Sequence, residues 1–221
     1  ITLPDGLTSI GDRAFYDCNS LTSITLPDGL TSIGDDAFYY CYSLTSITLP
    51  DGLTSIGDDA FYYCYSLTSI TLPEGLTSIG DDAFYYCYSL TSITLPESLT
   101  SIGYDAFYNC YKLYEVYNKS NLTITAGSTD NGHVAYYAKN VYTDSEGESK
   151  LKTVGDYIFY ADGEDIELIA YTGGETSITL PSDYEGKNYK IGDRAFYGCN
   201  SLTSITLPDG LTSIGDRAFY G

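Results

Sequence analysis

Residues 44–66, LTSITLPDGLTSIGDDAFYYCYS, recur at 67–89 with one change, Asp51 becoming Glu74. Looser copies begin at Leu21, Leu90 and Leu202, and partial ones at Ile1 and Glu175. A short fixed period means a stacked array of like units, and this outranks any local helix or strand preference. One copy carries too few apolar side chains to offset the entropy of ordering its own backbone, so each must cover the next.

The copy at 21–43 shows how a unit is built. Ile24-Thr25-Leu26 alternates apolar and polar, as a half-buried strand does. Pro27 ends the strand because it has no N–H to donate, and Asp28-Gly29 supplies a turn. Leu30 and Ile33 return to the core in a second short extended segment. Gly34 turns again, and Asp35 or Asp36 is placed to cap a single helical turn. In that turn Ala37, Phe38 and Cys41 share one side, while Tyr39, Tyr40 and Tyr42 point elsewhere. The expected fold is a solenoid of 23-residue coils, mainly β with short helical turns, its parallel strands about 4.8 Å apart.

The pattern LxxIxLPxxLxxIxxxAFxxCxx resembles the leucine-rich repeats of the BspA-like, or Treponema pallidum, type. The resemblance runs from Ile1 to about Leu113 and from Glu175 to Gly221. It implies a right-handed leucine-rich-repeat solenoid. It further implies a bacterial cell-surface or secreted protein, since several such relatives look like adhesins that bind host matrix proteins or other microbes.

The repeat phase fails after Cys110, which divides the chain into a repeat block at 1–112, an irregular stretch at 113–174 and a second repeat block at 175–221. Leu113 to Asn140 reads as one lengthened coil, with Val134-Ala-Tyr-Tyr-Ala138 replacing the AFYYC turn, and Val141-Tyr-Thr143 as the next strand. Asp144 to Lys150 is the most flexible stretch by composition. Tyr157–Ala161 and Ile166–Tyr171 flank Asp162-Gly163-Glu164-Asp165, a hairpin signal. The resumed repeat carries four extra residues within Ser182 to Lys190. Too small for a core of its own, the hairpin insert is expected to be integral to the solenoid.

With 30 acidic residues against 10 Lys and Arg, the net charge is −20. Such a chain does not bind nucleic acid, which needs clustered Lys and Arg, and no apolar run approaches the roughly 18 residues of a membrane span, so no direct membrane insertion is expected. Paired carboxylates at Asp35-Asp36, Asp58-Asp59 and Asp81-Asp82 are copies of one position and read as a solvated edge, not as an acid/base pair. His133 is the only histidine, and it reads as a surface loop residue. Neither a nucleophile motif, nor a phosphate-cradling loop, nor a set of metal ligands is present. No catalytic residue, cofactor or metal is therefore assigned, and the chain reads as a non-enzyme.

Cys18, Cys41, Cys64, Cys87, Cys110 and Cys199 occupy one repeat phase and read as a structural ladder of buried thiols; parallel stacking does not suit disulfide geometry. The candidate binding surface comprises tyrosine columns (Tyr39, Tyr40, Tyr42, Tyr62, Tyr63, Tyr65, Tyr85, Tyr86, Tyr88) and a threonine row on the strands (Thr25, Thr48, Thr71, Thr94). Stacked phenols offer rigid, amphipathic area suited to an extracellular protein or glycan. Two functions follow: a cell-surface or extracellular binding and adhesion module, or a passive stalk that presents other domains. A chain that opens and closes in mid-repeat reads as a piece of a longer protein. Its uncapped end coils are expected to associate weakly end to end.

Overall fold

A computed structural model describes residues 1–143 and 147–220. The first part of the stretch Asp144 to Lys150 therefore lies outside the described residues. The chain forms two compact units, Ile1–Gly147 and Glu148–Gly221, and the boundary between them falls within the 113–174 stretch.

Unit 1 is a β-solenoid. Two strand positions per coil build two parallel ladders. One comprises Ser9–Ile10, Ser32–Ile33, Ser55–Ile56, Ser78–Ile79 and Ser101–Ile102; the other comprises Ser23–Thr25, Ser46–Thr48 and Ser69–Thr71. Register is fixed at the repeat period, Ile24 opposite Ile47 and Ile47 opposite Ile70. In the strands Ser23–Thr25, Ser46–Thr48 and Ser69–Thr71 the isoleucine is buried and the flanking Ser and Thr are exposed, because alternate strand residues face opposite sides. After each strand a Pro-Asp/Glu-Gly/Ser-Leu turn closes with the leucine N–H donated to the proline carbonyl, as in Leu30 to Pro27 and Leu53 to Pro50 at 3.1 Å.

The expected helical turn is not helical. Asp36 and Tyr40 have left-handed backbones, at φ of 55° and 61°, and the same pair recurs as Asp59 and Tyr63, and as Asp82 and Tyr86. A left-handed residue every fourth position stops a right-handed helix from propagating. Instead, alternate amides reach the next coil. Asp36 N–H donates to the Asp58 carbonyl (2.9 Å), Phe38 to Ala60 (2.8 Å) and Tyr40 to Tyr62 (2.9 Å). The third side of each coil is thus hydrogen-bonded between coils, as the strands are. The only helical segment among the described residues is the 3-10 turn Asn131–His133.

The core is a set of columns. Ala60, Phe61, Cys64 and Leu67 are fully buried, as are their copies in the coils that begin their turns at Ala37 and Ala83. The phenylalanines stack at 5.0–5.2 Å from Phe38 to Phe107. The third ladder, Ser92–Leu95, Glu115–Asn118 and Asn140–Tyr142, carries the lengthened coil. Glu115 pairs with Ser92, one period back, and with Asn140, which lies beyond the place the period would give its partner. There the replacement for the AFYYC turn begins at Gly132, earlier than the sequence suggests. The Gly132 carbonyl accepts from Phe107 N–H at 2.7 Å, the place the alanine carbonyl holds in other coils. A Cβ on Gly132, whose φ is 62°, would fall 2.9 Å from both Ala106 Cβ and Ile102 Cγ2, so only glycine fits.

In unit 2 the expected hairpin is present. Tyr157–Asp162 and Asp165–Tyr171 pair antiparallel around Gly163, with an irregular register after Ile158. Leu151–Val154 adds antiparallel to it, and Lys190–Ile191 adds parallel on its other side. Ile178 pairs with Ile205, a step longer than one period because it spans the extra residues between Ser182 and Lys190. No helix among the described residues is long and apolar enough to cross a membrane.

Candidate functional site

Burying Phe61 on one side of the last turn sends the next residues outward, and three tyrosine columns result. Tyr16, Tyr39, Tyr62 and Tyr85 stack at 4.7–4.9 Å with ring planes within 8°, and Tyr108 continues the column at 5.1 Å. Tyr40, Tyr63 and Tyr86 form the second column, and Tyr42, Tyr65, Tyr88 and Tyr111 the third. Across one coil, Tyr62 meets Tyr63 at 4.6 Å and 86°, and Tyr63 meets Tyr65 at 5.1 Å and 72°. Stacking within columns and edge contacts between them satisfy the ring quadrupole in both directions. The columns therefore present ring edges and not ring faces, repeated at the coil spacing.

Eight of the nine predicted tyrosines are half-buried; Tyr88 is buried, only 8% exposed, because Tyr65, Tyr86 and Tyr111 enclose it. Partial burial, then the neighbouring phenols and Asp59 and Asp82, pushes the Tyr62 hydroxyl well above the usual phenol range; burial does the same to Tyr39 and Tyr85. At the far end the columns are closed by turned rings that sequence reading missed. His133 stands edge-on to Tyr108 at 5.1 Å, and Tyr137 edge-on to Tyr111 at 5.1 Å. Their signal lay in the lengthened coil, where the repeat phase could no longer assign them.

The two acidic rows beside the tyrosines have different jobs. Asp12, Asp35, Asp58 and Asp81 each accept, through Oδ1, the backbone N–H one coil on; Asp35 takes that of Asp58 at 2.9 Å. They brace neighbouring coils and cap no helix. Asp36, Asp59, Asp82 and Asp105 are the left-handed row. Arg13 closes that row at one end, Nε to Asp36 Oδ2 at 3.0 Å. His133 closes the other end, with Nδ1 3.0 Å from Asp105 Oδ1 but bent away from hydrogen-bond geometry. His133 is thus not the exposed loop residue expected from sequence: its side chain is 16% exposed, packed on Tyr108 and Tyr136. Between the ends, Asp59 and Asp82 make no ion pair among the described residues. Burial first, then the charges of Asp82 and Asp36, raises Asp59 to about 6, and burial also raises Asp82. No group of three metal-ligating side chains occurs among the described residues.

The BspA type leucine rich repeat region matches this chain in six copies, over residues 1–114, 56–179 and 170–221. The chain belongs to the BspA-type leucine-rich repeat family. Three solved structures illustrate the likeness. The T. pallidum leucine-rich repeat protein is 28% identical, matched over 97% of this chain and 72% of its own, with a TM-score of 0.51. A leucine-rich repeat protein from Bacteroides ovatus is 24% identical over 99% and 71%, with a TM-score of 0.53. A leucine-rich cell surface protein from Faecalibacterium prausnitzii is 29% identical over 99% of this chain and 65% of its own, with a TM-score of 0.48. No curated protein matches.

Two further rows of the BspA-type coil divide into structural and free. Hydroxyls of Thr45 and Thr68 donate to the threonine carbonyl one coil back, at 3.3 and 3.2 Å. Thr25, Thr48, Thr71 and Thr94 lie exposed on the strand face. Cys41, Cys64, Cys87 and Cys110 are buried, and each Sγ–H donates to a phenylalanine carbonyl one coil back, Cys64 to Phe38 at 3.3 Å. Burial pushes the Cys41 thiol up to about 12 and raises Cys64, Cys87 and Cys110 as well. Cys18 and Cys199 are only half-buried.

Proposed function

We propose that this chain is a non-catalytic binding and adhesion module of the bacterial cell surface or extracellular space, and that the tyrosine face of unit 1 is its recognition surface for a protein or glycan. The observation that carries this is the backbone under the middle column. Tyr40, Tyr63 and Tyr86 have φ of 61°, 60° and 60°, and the same phase holds Asp17, Asn109 and Gly198 in other coils, also at positive φ. Asp, Asn and Gly tolerate that conformation, whereas a bulky residue there is strained by about 1–3 kcal/mol. The coils do not need these rings to stack, since the backbone ladders, the phenylalanine column and the cysteines already join them. Three adjacent strained tyrosines at the centre of an aromatic face fit a surface kept for contact.

The family placement fits a repeat scaffold that works through its surface. The near identity of the copies favours a second reading, a passive stalk, because a spacer needs only length. A panel of glycans and extracellular matrix proteins separates the two. It is probed with the chain and with the Tyr40→Asn/Tyr63→Asn/Tyr86→Asn variant, which suits the left-handed backbone. Binding that the variant loses is the expected result; uniform silence of the unaltered chain would establish the stalk.

A further inference from the structure

We propose that the tyrosine face docks an extended, cationic polypeptide in the polyproline II conformation, with a basic side chain at every third residue. This rests on the reading of that face as a binding surface and names the chemistry of its partner. Rings of the outer column advance by 4.7 and 4.8 Å per coil from Tyr39 to Tyr85. A polyproline II chain rises about 3.1 Å per residue and turns every three, so one turn is about 9.3 Å, close to two ring steps. Residues three apart then meet equivalent rings on every second coil. A β-strand laid along the same line repeats its facing side chains about every 6.7 Å and drifts out of step at once.

The face also suits such a chain chemically. Ring planes are occupied in stacking on one another, which leaves ridges of edges and hydroxyls instead of flat platforms for a sugar ring. Ridged aromatic grooves accept polyproline II segments, whose carbonyls take hydroxyl donors and which lose little entropy on binding because they are already extended. The outer column has five rings from Tyr16 to Tyr108, enough for two turns of the ligand.

Charge selects the cationic form. Arg13 neutralises Asp36, and His133 sits against Asp105, so the row is closed at its ends and open in the middle. Asp59 and Asp82, adjacent to Tyr62 and Tyr85, face no cation among the described residues. One guanidinium between them answers both carboxylates, and a ligand with a basic residue in every third position presents one there in any register. The net charge of −20 steers such a ligand toward the chain.

The test is calorimetric titration of the chain at pH 7.5 and low salt with three synthetic peptides, (Pro-Pro-Arg)4, (Pro-Pro-Glu)4 and (Gly-Ser-Arg)4. The first should bind saturably and the second not at all. The third has equal charge but no fixed conformation and should bind at least about fivefold more weakly. The variant Asp59→Asn/Asp82→Asn keeps side chains suited to the left-handed backbone and should weaken the first peptide about fivefold, the upper range for an exposed ion pair. Equal binding of both arginine peptides would mean charge attraction alone and overturn the proposal. Unchanged affinity in the double variant would place the ligand elsewhere and overturn it too. Absence of binding by (Pro-Pro-Arg)4 refutes it outright. In that case, a panel ligand that the triple asparagine variant loses would still uphold the binding face itself.

Discussion

Gly57→Ala measures how tightly the coils approach. A Cβ on Gly57 would fall 2.6 Å from Asp35 Oδ1, 2.7 Å from the Gly34 carbonyl carbon and 2.8 Å from Asp35 N. Two of these are backbone atoms of the preceding coil, and the third is the carboxylate that accepts Asp58 N–H at 2.9 Å. None can yield cheaply, so the coils must part or the carboxylate must turn away. Overpacking of this kind costs about 1–3 kcal/mol. A hydrogen bond to a charged acceptor is worth about 1.5–3 kcal/mol. Alanine returns about 0.4–1 kcal/mol by restricting the unfolded chain. Whichever gives way, the net expectation is a loss of about 0.5–2.5 kcal/mol, or roughly 1–10 °C in Tm for a chain of this size. Gly11 supplies the control. It occupies the same phase of the repeat, within the same SIGD sequence, and nothing lies within 4 Å of its would-be Cβ. Gly11→Ala should therefore be neutral or slightly stabilising. Denaturant unfolding of the two variants in the chain 1–221 compares one substitution with and without a preceding coil. Equal effects at both positions would show that the inter-coil contact is not what requires glycine at position 57.

Lowering the pH from 7.5 to 5 should stabilise unit 1 through Asp59. Its folded value of about 6 lies above the ordinary carboxylate value, so its contribution is complete below about pH 4 and is lost as pH rises through 6. Solvent screening of this partly exposed group holds the effect below about 1 kcal/mol, and Tm differences between the chain and Asp59→Asn should shrink toward acid pH. A bulky thiol reagent at pH 8 should label Cys18 and Cys199 first and leave Cys41, Cys64, Cys87 and Cys110 protected until unfolding; early modification of Cys64 would contradict the buried ladder. Tyr63→Asn should cost no more than about 1 kcal/mol, since relief of strain offsets lost stacking, whereas Phe61→Ala should cost about 3–5 kcal/mol. Comparable losses in the two variants would mean that the tyrosine column is structural.

The 23-residue period determined the stacked array, and the alternation in Ser23–Thr25 determined which side of each strand is buried. Both survive because a repeat makes every coil's environment the same, so local pattern and tertiary contact point one way. The hairpin around Gly163 was legible for a related reason: its turn chemistry is local. The left-handed backbone at Asp36 and Tyr40 was not legible. Neither residue type demands it; only the ladder of amides reaching the next coil fixes it. The two adjacent aspartates of each coil look alike in sequence, yet one braces the next coil and the other lines a row closed by Arg13 and His133. Arg13 stands one period before Asp36, but His133 follows Asp105 by more than a period, in a coil that has lost the phase. The sequence by itself thus determined the period, the core columns and the outward tyrosines. Only the tertiary structure decided which carboxylates of the row lie away from Arg13 and His133, because that depends on which residue closes each end, and closure is a contact between coils.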